Sequence, residues 1–348
     1  AADARRRPKS RRLHRRARER ITALSGPPWQ IWIDTGGTFT DCVAVDPQGR
    51  TRSCKVLSSG ALRDRIERVD EAGRVSLRGA VSLPRGFLVG FSLSLLGEDA
   101  ELKIVGQDLR TGSLSLAAAD LSRLEAGRAV ELRSGEEAAL LAARLVTGTP
   151  LGRELPPVEM RLATTRGTNA LLERRGARVA HLTTAGFEDL LAIGDQRRPD
   201  LFALHIERPA PLPETIVGLS ERLGRDGSVV EALDLDGAAA SIAGLRAQGY
   251  ECASVALLHA QRNPRHEELV EALLREAGFA YVARSSALSP FQGLLRRSQT
   301  AAADAYLGPC VADYLRAVRE GLGGADARLH VMTSAGGLVE ARHCRPVD

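Results

Sequence analysis

The residues with the most chemical promise stand together in "WQIWIDTGGTFTDCVAVDPQGR", residues 29–50. An apolar run stops on a carboxylate, Asp34. Gly36, Gly37 and Thr38 follow, and Thr40 and Asp41 open the next run. Three kinds of glycine loop compete. A P-loop places Lys and then Ser or Thr directly after its last glycine and continues as a helix. Here Gly37 is followed by Thr38 and Phe39, which excludes it. A dinucleotide fingerprint spaces its glycines G-x-G-x-x-G at the start of a helix. Gly36 and Gly37 are adjacent and "TFTDCVAV" alternates like a strand, which excludes that as well. Strand–turn–strand remains, with Ile31 and Ile33 on one side and Trp32 on the other. Adjacent glycines leave no Cβ to block a ligand and open backbone conformations closed to other residues. Successive N–H groups in such a turn can form an anion-binding nest. Asp34 repels phosphate unless a divalent cation stands between them. An ordinary Gly-Gly hairpin fits the turn equally well.

The elements around this turn fall into blocks. Residues 28–60 read as a three-stranded meander, with "TRSCKVLSS" the third strand. Residues 61–135 change texture: "RVSLRGAVSLP", "GFLVGFSLSLLG", "ELKIVGQDLRTGSLSL" and "AVELRS" are short alternating runs between turn residues, a β-rich insertion. From residue 136 to 348 strands alternate with helices, which means α/β layering. Ser134 with Glu137 reads as a capping box for the first of these helices, and Gly148 as its end. Asn263 and Pro264 read as the N-cap and first residue of another. A long helix covers about "RSQTAAADAYLGPCVADYLRAVREGL", with a break or kink at Gly308-Pro309.

At 348 residues the chain is long enough for roughly two domains and a sizeable core. No apolar run approaches the roughly 18 residues of a membrane span. Five scattered cysteines without a C-x-x-C pair argue for a reducing compartment, the cytoplasm, and against a zinc or disulfide framework. The net charge of +5 is uneven. Residues 1–20 hold ten Lys or Arg against Asp3 and Glu19, a net of +8, so the remainder carries −3. This basic arm, residues 1–27, reads as a disordered extension. Its first twenty residues include no aromatic residue for base stacking, so nucleic-acid binding is not expected.

"IDTGGTFTDCVAVD" resembles the first phosphate motif of the hydantoinase A / 5-oxoprolinase family, which is similar to the actin-like ATPase superfamily. Four further stretches agree in order: "LATTRGTNALLERRGARVAHLTTAGFEDLLAIGDQRRPDLFALHI", "ERLGRDGSVV", "SQTAAADAYLGP" and "MTSAGGLVEARHCRPVD". The "WQIWID" opening is most like the fused single-chain type. The resemblance covers about 29–60 and 136–348. It implies an actin-like (ribonuclease H-like) α/β fold, the first lobe plus part of the second, with residues 61–135 inserted.

The family resemblance implies ATP-dependent opening of a cyclic amide, 5-oxoproline or a hydantoin, through a phosphorylated intermediate. ATP and Mg²⁺ are the implied cofactors, and a hydantoinase B-type half, fused or separate, the implied partner; an oligomer is expected. By the same resemblance Asp34 serves catalysis and Mg²⁺, the latter through water, while Gly36, Gly37, Thr38 and Thr40 bind phosphate. Thr164, Thr165, Thr168, Asn169 and Asp304 are candidates for the substrate site or its wall, although helix capping or, for Asp304, an exposed helix face explains them as simply. Asp195, Gln196 and Arg197 fit a substrate contact or a solvated loop. His181, His205, His259 and His266 lack ligand spacing and read as structural. Thr35 stands where many members carry another residue. The family's second phosphate motif lies beyond residue 348, so residues 1–348 alone are expected to be inactive. A small-metabolite kinase of the same superfamily and a non-enzymatic binding module are the alternatives.

Overall fold

A computed structural model describes residues 27–79, 83–108, 110–117, 123–197, 202, 209–323 and 327–344. The basic segment 1–26 and His205 lie outside the described residues. Two compact units emerge: described residues 27–165 with 314–344, and 166–313.

The first unit is built on a mixed six-stranded sheet. β1 (Trp29–Thr35), β2 (Phe39–Val45) and β3 (Thr51–Leu57) form the antiparallel meander. Ile31, Ile33, Cys42, Ala44 and Val56 are buried. α1 (Ala138–Thr147) packs on these strands. Strict alternation does this: period two puts one apolar set toward the helix and leaves Trp32, Asp34, Asp41 and Val43 on the other face. β10 (Val158–Thr164) adds in parallel beside β1, β17 (Arg328–Met332) in parallel beside β10, and β18 (Leu338–Glu340) antiparallel at the edge.

Between β3 and α1 the chain makes a closed barrel of β4 (Ala61–Val69), β5 (Val75–Leu77), β6 (Ser92–Leu95), β7 (Glu101–Gln107), β8 (Leu114–Leu116) and β9 (Ala129–Arg133). Its interior is filled by side chains: Phe87, Phe91, Leu93, Ile104, Leu114 and Leu132 are fully buried. β4 pairs with β9, so the two ends of the excursion lie side by side. Gly60 sits at that junction with φ +74°, where a Cβ would lie 2.5 Å from the Glu136 carbonyl oxygen. Only glycine meets both conditions.

α1 begins later than the Ser134 capping box implies. Glu137 occupies the N-cap without a side-chain capping bond, and the Ser134 hydroxyl accepts from the Glu136 N–H at 3.1 Å. The turn is clamped instead by Glu136, which takes two hydrogen bonds from the buried Arg144 guanidinium at 2.6 and 2.8 Å. Gly148 ends the helix in the left-handed region.

The second unit holds a parallel sheet ordered β12 (Thr215–Leu219), β11 (Val179–Thr184), β15 (Cys252–Ala256), β16 (Tyr281–Arg284). It is all-buried in β11 and β15, as a sheet covered on both faces requires. α4 (Leu235–Ala247) and α5 (Arg265–Glu276) pack on one face through Ile242, Leu245, Val270 and Leu274. On the other face lie Ala301, Ala305 and Tyr306 of α7 (Leu294–Leu322). The short helices α2 (Arg166–Leu172), α3 (Leu190–Ile193) and α6 (Ser285–Leu288), and a β13 (Arg222–Leu223)–β14 (Val229–Glu231) hairpin, complete the unit. The Asn263 side chain accepts from the Arg265 N–H at 3.2 Å, although Pro264 holds the N-cap of α5. Of the break or kink expected at Gly308-Pro309, the break is absent: α7 runs through Pro309. Buried anchors on both sides, Ala301, Ala305 and Tyr306 before it and Tyr314, Leu315 and Val318 after it, offset the one backbone hydrogen bond that proline removes.

Candidate functional site

The β1–β2 turn occupies Gly36, Gly37 and Thr38, with Thr35 opposite Thr40 and Asp34 opposite Asp41. Neither Gly36 nor Gly37 takes a positive φ, so the turn does not call for glycine through a left-handed conformation. A Cβ on Gly36 would stand 3.2 Å from the Phe39 carbonyl oxygen, which accepts the Gly36 N–H at 3.0 Å. Gly37 and Thr38 are exposed.

The turn is held from beneath. The Ser58 hydroxyl donates to the Gly36 carbonyl at 2.8 Å, and the Ser58 N–H donates to the Thr38 carbonyl at 2.9 Å. The Ser58 proton is thereby used, so the Thr40 hydroxyl, 3.0 Å away, donates to Ser58 Oγ. Thr40 is fully buried, which corrects its assignment to phosphate contact: it braces the turn and does not face a ligand. The signal was in the alternation, since Thr40 shares its phase with buried Cys42 and Ala44. Ser58 was missed because a serine just past a strand carries no pattern of its own.

At the other end, the Thr35 carbonyl receives both the N–H of Thr165, at 3.0 Å, and its hydroxyl, at 3.3 Å. The Thr35 hydroxyl lies 3.3 Å from that of buried Tyr314. Thr164 is the register partner of Thr35 at the end of β10. Thr164 and Thr165 therefore stand at the base of the turn in the first unit, whereas Thr168 and Asn169 lie on α2 of the second.

Asp34 faces a groove of about 330 Å³ on the sheet face opposite α1, lined also by Trp32, Asp41, Val43, Arg161, Met332 and Leu338. Its walls are apolar, and the two carboxylates lie at its turn-side end. Asp41 is held by Lys55 at 2.9 and 3.0 Å. Arg161 stacks over Trp32 at 5.2 Å. Asp34 and Asp41 offer only oxygen donors, one or two carboxylates, which is the set that Mg²⁺ takes while keeping its water and phosphate ligands. Among the described residues no cluster of three His, Cys, Asp or Glu is placed to hold a metal.

The remaining candidates are placed differently. Asp304 is 4% exposed and accepts the Tyr281 hydroxyl at 3.0 Å. That corrects the exposed helix face expected for it, and burial, with this contact adding to it, pushes the Tyr281 hydroxyl's pKa up. Asp195 and Arg197 pair with each other at 3.1 Å on an exposed loop around Gln196. His181 is buried against Ser254 Oγ at 2.8 Å, and burial lowers it to about 4. His266 joins Glu221 at 2.7 Å, and Thr184 donates to the same carboxylate. Glu267 accepts from Leu257 N–H, Ser285 and Ser286. These buried groups tie the loops at the carboxyl ends of the parallel strands together; their protons and lone pairs are spent on one another.

The family profile of the hydantoinase/oxoprolinase N-terminal region matches residues 30–80 and 136–278, stepping over most of the barrel. The chain is 36% identical to the 5-oxoprolinase of Saccharomyces cerevisiae over 209 residues, 52% of this chain and 16% of that protein. It is 40% identical to 5-oxoprolinase 1 of Arabidopsis thaliana over 175 residues, 45% and 14% of the two lengths. It thus spans about a sixth of these relatives. Among solved structures, a nucleotide-free acetone carboxylase matches with a TM-score of 0.55 at 19% identity, over 90% of this chain and 37% of that one. The ATP-dependent caprolactamase of Pseudomonas jessenii matches with 0.54 at 22%, over 90% and 36%. These two share the fold, an actin-like α/β architecture. Motif, register and profile converge on residues 30–80 and 136–278, and the chain belongs to the hydantoinase/oxoprolinase family.

Proposed function

We propose that this chain is the N-terminal, ATP-binding part of an enzyme that opens a cyclic amide by ATP-dependent hydrolysis, with 5-oxoproline or a hydantoin as substrate. The kinship with 5-oxoprolinases supports the reaction class. The observation that carries the site is the braced turn: exposed Gly37 and Thr38 above a Thr40–Ser58–Gly36 relay, with Asp34 at the mouth of the groove. A lactam is a poor electrophile, and phosphorylation of its oxygen makes the ring carbon open to water. That step gains from phosphate-facing N–H groups fixed beforehand, because donors that need not reorganise stabilise developing charge best. In this reading Gly37 and Thr38 wrap the phosphates by their backbone, and Gly36, its N–H held by the Phe39 carbonyl, shapes the turn beside them. Mg²⁺, when bound, offsets phosphate charge, and Asp34 holds it through water with Asp41 nearby. Thr164 and Thr165 fix the base of the turn.

The hydrolytic half is assigned to a hydantoinase B-type polypeptide, fused or separate, and the whole is placed in the cytoplasm. Among the described residues no helix is long and apolar enough to cross a membrane. The domain plan proposed is the meander at 28–60, the barrel insertion at 61–135 and the α/β core from 136. The test is Asp34→Ala in the full-length protein. Its side chain is exposed, so the fold should persist while ring-dependent ATP turnover drops at least about 100-fold, the scale of losing one pre-organised electrostatic group. Turnover like that of the parent would remove Asp34 from the mechanism.

A further inference from the structure

Cys42 and Cys54 lie 12 positions apart in sequence, with no motif linking them, yet they are direct register partners on β2 and β3. Hydrogen bonds flank them in the same register, Ser58 N–H to Thr38 O at 2.9 Å and Asp46 N–H to Arg50 O at 3.0 Å. Antiparallel pairs alternate, so Cys42 and Cys54 fall at a hydrogen-bonded site, where Cα atoms stand about 5.5 Å apart. A disulfide accepts Cα separations of roughly 4.4–6.8 Å. Both thiols are free.

The two differ in access. Cys42 is 1% exposed. Cys54 is half-buried on the strand next to the barrel junction, its Sγ also donating to the Ala142 carbonyl at 3.6 Å. A reagent from solvent therefore meets Cys54 first, with Cys42 directly opposite it in register. Cys252, by contrast, stands opposite Val179 and Tyr281 in its sheet.

We propose that Cys42 and Cys54 form a dithiol modification site that takes a small-molecule disulfide as oxidant. The Cys54 thiolate attacks one sulfur of the disulfide, forming a mixed disulfide and expelling one thiolate. The Cys42 thiolate, its proton passed to solvent, then attacks Cys54 Sγ and expels the second. Two protein thiols are oxidised to one cross-strand disulfide, and one small disulfide is reduced to two thiols. The new bond locks β2 to β3 two residues from Thr40, under the braced turn.

The test treats the reduced full chain with oxidised glutathione at pH 8, with far-UV circular dichroism confirming that it stays folded. Intact mass and peptide mapping after alkylation give the readout. The expected result is a mass loss of two hydrogens, a peptide holding Cys42 linked to one holding Cys54, and Cys252, Cys310 and Cys344 alkylated. A stable glutathione adduct on Cys54 beside an alkylatable Cys42 would overturn the proposal. So would linkage only after denaturant is added, or linkage to another cysteine. Cys54→Ser should leave Cys42 at least about tenfold slower toward alkylation than Cys54 is in the parent, because its thiol is hidden. Equal rates would refute the order of attack.

Discussion

Removing the Ser58 hydroxyl should weaken the turn by an amount that depends on Thr40. The relay runs from Thr40 to Ser58 to the Gly36 carbonyl, at 3.0 and 2.8 Å. Ser58→Ala deletes both bonds and leaves the fully buried Thr40 hydroxyl without its acceptor. An unsatisfied buried donor costs about 1–3 kcal/mol, while the Gly36 carbonyl, half-buried, recovers part of its loss from water. The expected destabilisation is about 2 kcal/mol. Thr40→Val keeps the shape, removes the donor and spares the Ser58–Gly36 bond, for about 1 kcal/mol. The double variant has no stranded donor and should fall short of the sum by about 1 kcal/mol. Both tryptophans of the protein, Trp29 and Trp32, lie in β1, so tryptophan fluorescence in urea reports this sheet alone. Additive effects, or less than about 0.5 kcal/mol for Ser58→Ala, would refute the relay.

His181 is neutral when folded, its pKa lowered to about 4 by burial, while in the unfolded chain the exposed imidazole binds that proton near the ordinary 6.5. The unfolded state thus binds more protons between these values, so stability is complete above about 6.5 and falls as pH drops toward 4, by up to roughly 3 kcal/mol. Hydrogen exchange of the β11 and β15 amides should quicken over that window, and His181→Leu should flatten the slope; an unchanged slope would exclude His181 as its source. Two helical glycines should respond in opposite senses to alanine. At Gly244, with nothing within 4 Å, alanine should stabilise α4 by about 0.8–1 kcal/mol. At Gly308 the new Cβ would lie 2.2 Å from the Tyr281 ring, so thermal melts should show destabilisation of about 1–3 kcal/mol despite the better propensity, and a rise in Tm would contradict that packing.

Local periodicity made the turn legible. Alternation over residues 29–45 set Ile31 and Ile33 on one side and Trp32 on the other, because side-chain direction along a strand depends only on parity, and adjacent glycines excluded the two helix-opening loops. The same parity placed Thr40 with Cys42 and Ala44, and it was the family resemblance that suggested a ligand contact for it. Other features depend on contacts between distant segments, which no local pattern encodes. The texture of residues 61–135 announced strands, but closure into a barrel rests on β4 meeting β9. Asp304 looked solvent-facing in an alanine-rich helix until Tyr281 was brought to it from β16. Proline at 309 argued for a break, and burial along α7 outweighed one lost hydrogen bond. Cys42 and Cys54 read as two scattered thiols, and the β2–β3 register alone made them a pair. Residue type and spacing determined which chemistry was on offer at Asp34, Gly36, Gly37 and Thr38. Tertiary structure decided which polar groups face the groove and which, like Thr40 and Ser58, are consumed in holding the turn still.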